Sequence, residues 1–229
     1  MSLRVLNGFH LKLLVAIVMV IDHVGAVLFP GVMWLRCIGR GFPLFCFLIA
    51  EGCVHTRSFK KYALRLLVLA VPSELCFDLM HGAVWIPMRQ TALWALLAGA
   101  VACWFIEGAL KQHTAGSIVL TGVAMASLFY LLKVFRVDYG GWAMLLVAVF
   151  YAVRYLPCGE GIKMAAQTAG VALFCIGSVG GISIELWALA YLIPIWLYNG
   201  QRGFSHRAVQ YGFYAFYPVH LLVLTLIAR

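Results

Sequence analysis

Residues 11–51, LKLLVAIVMVIDHVGAVLFPGVMWLRCIGRGFPLFCFLIAE, are apolar almost throughout, yet they carry Asp22, His23, Arg36, Arg40 and Glu51. Apolar runs of about 20 residues suffice to cross a bilayer, and such runs recur to the C-terminus. The chain is 64% hydrophobic and 11% charged, with a mean hydropathy of +0.97. A soluble domain carries about 25% charged residues. The pattern predicts an all-α fold, a polytopic integral membrane helical bundle of about nine transmembrane helices (8–10). The expected spans lie near 9–29, 38–54, 62–79, 91–110, 115–134, 140–156, 164–180, 183–199 and 211–228. Residues 1–229 read as a single transmembrane domain. The first run contains Asp22-His23 and has no A-x-A-like cleavage site, so it does not read as a signal peptide.

The net charge is +9 and the pI about 9.4. Cytoplasmic loops of membrane proteins are enriched in Lys and Arg, which accounts for this excess. No basic stripe interleaved with aromatics points to nucleic acid. The strongest cytoplasmic marker is HTRSFKKYALR at 55–65, and it places the N-terminus in the cytoplasm. The seven cysteines are scattered without a C-x-x-C pair, so neither a structural zinc site nor a disulfide framework is expected.

The polar residues inside these runs carry the functional reading. At membrane depth an ionisable side chain costs roughly 2.5–3.5 kcal/mol on insertion scales, so it usually has a partner and a role. Asp22 and His23 are adjacent, hence about 100° apart around the helix. Arg36 and Arg40 are spaced i, i+4, the spacing of one helical face. Pro43 is expected to kink or unwind the second span. Glu51 is about three turns beyond Arg40, roughly 16 Å, too far to pair with it. Glu74 and Asp78 are spaced i, i+4, with His81 just beyond, and should face water, pair with cations or share a proton. Arg136, Asp138 and Trp142 cluster where a helix enters the bilayer, and Glu185 opens the eighth span. In the last span Tyr214, Tyr217 and His220 follow at intervals of three, so one side of that helix is polar.

Several blocks occur in order over nearly the whole chain: M-x-IDHVG…LFP within 19–30, R-x-IGR-x-FPLFCFLIAEG at 36–52, HT…Y…RL at 55–66, DYGGWAMLL at 138–146 and YGFYAFYPVHLL at 211–222. In these the sequence resembles the TraX family of conjugation-associated membrane proteins, and in particular its TrbP-type members. A looser likeness extends to transmembrane acyltransferases with an intramembrane histidine followed by an FPxF-type helix. The resemblance implies an acyltransferase-like domain in the bacterial inner membrane. It implies transfer of acetyl from acetyl-CoA to an amine, in the prototype the processed N-terminus of conjugative pilin. The expected partners are therefore pilin or another amine-bearing acceptor and the lipid bilayer, with no nucleic acid and no metal.

That chemistry assigns roles. The amine must lose a proton, and His23, with an unperturbed pKa near neutrality, is the candidate base or covalent nucleophile. Asp22 sets its environment or pairs with arginine. Arg40 and His220 complete the catalytic group. Arg36, or a cytoplasmic cluster of Arg57, Lys60, Lys61 and Arg65, would hold the phosphates of the donor. Glu51, Asp138 and Tyr217 are candidates for substrate contact. Two other classes suit part of the pattern. A proton or solute transporter would use the same intramembrane charges, and a structural component of a pilus or secretion machine would use them as interhelical glue. His23, Arg40 and His220 facing one cavity is what the enzyme reading requires.

Overall fold

Helix-forming runs and their stop signals give the architecture in the computed structural model, which describes residues 4–87 and 89–228. Asn7 starts the first helix, α1 (Gly8–Val27). Its side chain accepts from the backbone N–H groups of Phe9 and His10, and the His10 ring accepts in return from the Asn7 N–H. This reciprocal cap satisfies donors that a helix start leaves open. Next come α2 (Met33–Ile38) and α3 (Phe42–His55), then α4 (Phe59–Met80), capped by Ser58. α5 (Leu93–Gln112), α6 (Ala115–Val134), α7 (Gly140–Arg154) and α8 (Glu160–Val179) follow. A 3-10 helix (Ile184–Tyr191) runs into the short α9 (Leu192–Trp196), and α10 (Arg207–Ile227) closes the chain.

Among the described residues, six helical stretches are long and apolar enough to cross a membrane, counting 33–55 as one. The chain is thus a multi-pass helical membrane protein, but not one with nine equivalent spans. The difference has three physical sources. The expected span 62–79 lies in α4, which has the length but carries Lys60, Lys61, Arg65, Glu74 and Asp78. The expected span 140–156 is α7, whose 15 residues reach only about 22 Å. The expected span 183–199 is a 3-10 turn followed by a five-residue helix. Hydropathy alone does not separate a buried core helix from a spanning one.

The core is built on α5 and α7, which pack on each other and on α3, α4, α6 and α8. Ala95, Ala98, Ala102 and Gly99 on α5 are buried, and a side chain added at Gly99 would come within 2.7 Å of Val147 on α7. Small residues let the two backbones approach closely. α10 lies against α4 and α1. At the edge, α6 buries only Ser117 and Leu132 and turns the rest of an apolar surface outward, as a lipid-facing helix does.

The second expected span is broken where the site forms. Helix α2 ends at Ile38, and Gly39-Arg40-Gly41 form a turn before α3. Pro43 sits in the first turn of α3, where its missing N–H costs nothing. It therefore starts a helix rather than kinking one. Arg36 and Arg40 accordingly lie on different elements, not on one helical face.

Candidate functional site

The turn at Gly39 lies against Asp22 of α1 so closely that a side chain there would overlap the aspartate. Asp22 Oδ2 pairs with Arg36 Nη1 at 2.7 Å, and the same nitrogen donates to the Asp22 carbonyl at 2.9 Å. Arg40 Nη2 is 3.6 Å from Asp22 Oδ1, and Arg40 Nη1 donates to Glu185 Oε1 at 2.7 Å and to the Tyr139 hydroxyl at 3.3 Å. Arg40 and Glu185 are each only 6% exposed. Two cations and two anions thus share one desolvated cluster, so each charge has an opposite neighbour. Arg40 Nε and Asp22 Oδ1 nonetheless lack a hydrogen-bond partner among the described residues. These are a spare donor and a spare acceptor.

Beside this cluster His23 Nδ1 and His220 Nε2 lie 2.7 Å apart. The ring centroids are 5.0 Å apart and the planes 21° from parallel. The 2.7 Å contact plus the two ring radii accounts for that separation, so the rings meet edge to edge rather than face to face. The other nitrogen of His220, Nδ1, is 2.8 Å from the Phe216 carbonyl. A carbonyl only accepts, so His220 Nδ1 carries a proton. With the ring neutral, His220 Nε2 is then an acceptor, and His23 Nδ1 must be the donor. His23 is left with a lone pair on Nε2. Phe216 lies flat beside the His220 ring and Tyr217 meets it edge-on.

A cavity of about 390 Å³ opens here, and its wall includes Asp22, His23, Arg36, Arg40, Tyr139 and Glu185. Asp138 and Arg89, 3.6 Å apart, line the same cavity together with His81. Burial pushes the Asp138 carboxyl above its ordinary range, and the Arg89 guanidinium opposes that shift. His220 stands behind His23 rather than on the wall, so of the three residues expected at one cavity two line it and the third touches it through His23.

Other candidates lie elsewhere. Glu51 forms an ion pair with Arg154 and sits 3.6 Å from His55 Nδ1. Together with Arg65 it lines a second cavity of about 300 Å³. Arg57, Lys60 and Lys61 line neither cavity. Tyr217 lines both, and its hydroxyl is 2.9 Å from Thr91 Oγ1. Glu74 and Asp78 do not face water. They are 6% and 1% exposed, and Glu74 accepts from the Thr91 N–H and from Trp94 Nε1. Asp78 accepts from the Ile86 N–H.

Sequence reasoning did not single out Tyr139 or Glu185 as site residues. The signal was present for Glu185, the lone charge in the run 182–198, by the same desolvation argument that marked Asp22. Tyr139 offered none beyond its place in the DYGGW block. Its φ of 57° puts it in the left-handed region, at the cap of α7.

A family model described as TraX protein matches residues 7–228. The probable fimbrial assembly protein FimC, serogroup H1, of Dichelobacter nodosus is 26% identical over 239 residues, covering 95% of this chain and 94% of that protein. No solved structure matches. The family match runs through every helix that builds the cavity, from Asp22 and His23 on α1 to His220 on α10, and the chain belongs to the TraX family.

Proposed function

We propose that this protein is a membrane-embedded acetyltransferase of pilus biogenesis and conjugal transfer. It moves acetyl from acetyl-CoA to an amine, and the pilin N-terminus is the first acceptor to test. The observation that carries the reading is the His23–His220 contact beside an arginine-rich cavity. A histidine with one nitrogen engaged from behind and the other bearing a lone pair is arranged as a general base. His23 Nε2 takes the proton as the amine nitrogen attacks the thioester carbonyl. The C–N bond forms, the C–S bond breaks, and His23 returns the proton to the leaving thiolate. Arg36 and Arg40 on the cavity wall supply positive charge for the oxygen on which charge develops. The family membership and the fimbrial assembly relative support a role at the pilus.

A second reading has one observation in its favour. The two cavities share a wall, and a solute path would use such an arrangement with opposed access. Label transfer separates the two. Purified protein is mixed with acetyl-labelled acetyl-CoA and membranes containing cognate pilin, wild type beside a folded His23→Ala variant. Label on pilin that the variant abolishes is the expected result. Equal labelling by both removes His23 from the reaction. Absence of transfer, together with solute movement in liposomes without acetyl-CoA, moves the assignment to transport.

A further inference from the structure

The chemistry at His23 leaves the second cavity without a role. It lies at the opposite end of the same helices, between the starts of α1, α4 and α10 and the end of α3. Three cations line it: Lys12, Arg65 and Arg202. None of them pairs with a carboxylate among the described residues, where each acid in an ion pair is held by another cation. The cavity's one acid, Glu51, is occupied by Arg154. The charge of this cavity is therefore unmatched. Lys12 is half-buried on α1, while Arg65 and Arg202 are exposed at the rim. An ammonium at that depth without a counter-charge is costly, and a phosphate would supply the match through charge-assisted hydrogen bonds.

The inner end is different in kind. There the wall is apolar and is shared with the first cavity through Val15, Met19, Phe45, Leu93, Leu96 and Tyr217. About 300 Å³ does not enclose a nucleotide with its arm, but it accommodates a slender, uncharged arm whose anionic head stays at the rim. We propose that this cavity binds a phosphorylated acyl thioester of the coenzyme A type. Its phosphates lie on Lys12, Arg65 and Arg202, and its acyl end lies against the Tyr217 wall. Donor and acceptor then approach the transfer site from opposite ends of the bundle, and the donor end is the one that carries the basic 55–65 segment. This rests on the acyl-transfer reading for its choice of ligand. It also replaces Arg57, Lys60 and Lys61 as the phosphate contacts.

An anionic lipid headgroup presents the same phosphate chemistry, so the test separates the two. The full chain in neutral detergent is titrated with coenzyme A, with pantetheine and with phosphatidylglycerol. Coenzyme A should bind saturably and pantetheine far more weakly. Lys12→Gln and Arg202→Gln should each weaken coenzyme A binding about tenfold, the loss of one charge-assisted contact. Lys12→Arg, Lys60→Gln and Lys61→Gln should leave it close to wild type. An equal loss in Lys60→Gln overturns the assignment. So does saturation by phosphatidylglycerol without coenzyme A binding, which would give the cations to lipid. His23→Ala keeps the two proposals apart. Retained coenzyme A binding in a variant whose transfer is unimpaired removes His23 and leaves the donor cavity standing. Transfer that requires His23 but is indifferent to both Lys12→Gln and Arg202→Gln keeps the reaction and overturns the cavity.

Discussion

His23 and His220 stand 197 residues apart in the chain and 2.7 Å apart in the folded protein. The Phe216 carbonyl holds the His220 Nδ1 proton, so in the proposed reaction His220 would serve His23 as the acid of a catalytic triad serves its histidine, by fixing the tautomer. His220→Phe removes the acceptor and leaves His23 Nδ1–H without a partner. We expect kcat for acetyl transfer to fall about 100-fold, within the range for general-base contributions, while KM changes little. His220→Gln returns an acceptor oxygen and should recover part of the loss. A His220→Phe protein with wild-type kcat would make the contact purely structural.

Arg40 and Glu185 form the most buried ion pair of the site. Breaking a buried pair leaves an uncompensated charge and costs about 3–5 kcal/mol, whereas replacing both partners with apolar residues is often neutral. Glu185→Leu alone should therefore destabilise the protein strongly in denaturant unfolding. Arg40→Met combined with Glu185→Leu should recover much of that loss while remaining inactive. Stability that is additive across the two variants would show that Asp22 and Tyr139 hold Arg40 without Glu185.

The legible part of this site was the part marked by desolvation cost. Asp22, His23, Arg36 and Arg40 stand out as charges in apolar runs, and the structure gathers all four on one cavity. Pairing was not legible. Glu51 meets Arg154 across 103 residues, and Arg40 meets Glu185 across 145. Helical periodicity carries no information at those separations. The helix count failed for a related reason. The buried α7 and the outward-facing α6 have equally apolar sequences, and helix length and packing, which hydropathy does not report, tell them apart. The break at Gly39-Arg40-Gly41 was hidden because Pro43 reads equally as a kink within a helix or as its first turn.

Two glycines eight residues apart, Gly31 and Gly39, should respond unequally to the same change. A side chain at Gly39 would overlap Asp22, while nothing lies within 4 Å of one at Gly31. Gly39→Ala must push the aspartate away from Arg36 or move the turn that carries Arg40. We expect it to cost about 1–3 kcal/mol, as overpacking does, and to lower transfer activity beyond its effect on folded yield. Gly31→Ala should change stability by no more than about 0.5 kcal/mol. Comparable behaviour of the two variants in thermal unfolding would mean that the α1–α2 contact is looser than its geometry.

Glu74 is a further buried acid, and its contacts lead to the wall between the cavities. Its carboxylate accepts from the Thr91 N–H at 3.1 Å and from Trp94 Nε1 at 2.6 Å, and Thr91 in turn contacts the Tyr217 hydroxyl on the wall between the cavities. Glu74→Ala strands the buried Thr91 N–H, at about 1–3 kcal/mol for an unsatisfied buried donor, and leaves the half-buried Trp94 Nε1 without its acceptor. Glu74→Gln keeps one acceptor oxygen and should lose about half as much. If Thr91 is placed by Glu74, then Glu74→Ala should also alter transfer, because Tyr217 loses its anchor, and Thr91→Val should reproduce that effect with a smaller stability loss. Equal destabilisation by Ala and Gln would show that the charge of Glu74, rather than its acceptor atoms, is what the fold requires. Unchanged transfer in a folded Thr91→Val protein would free Tyr217 from any dependence on this chain of contacts.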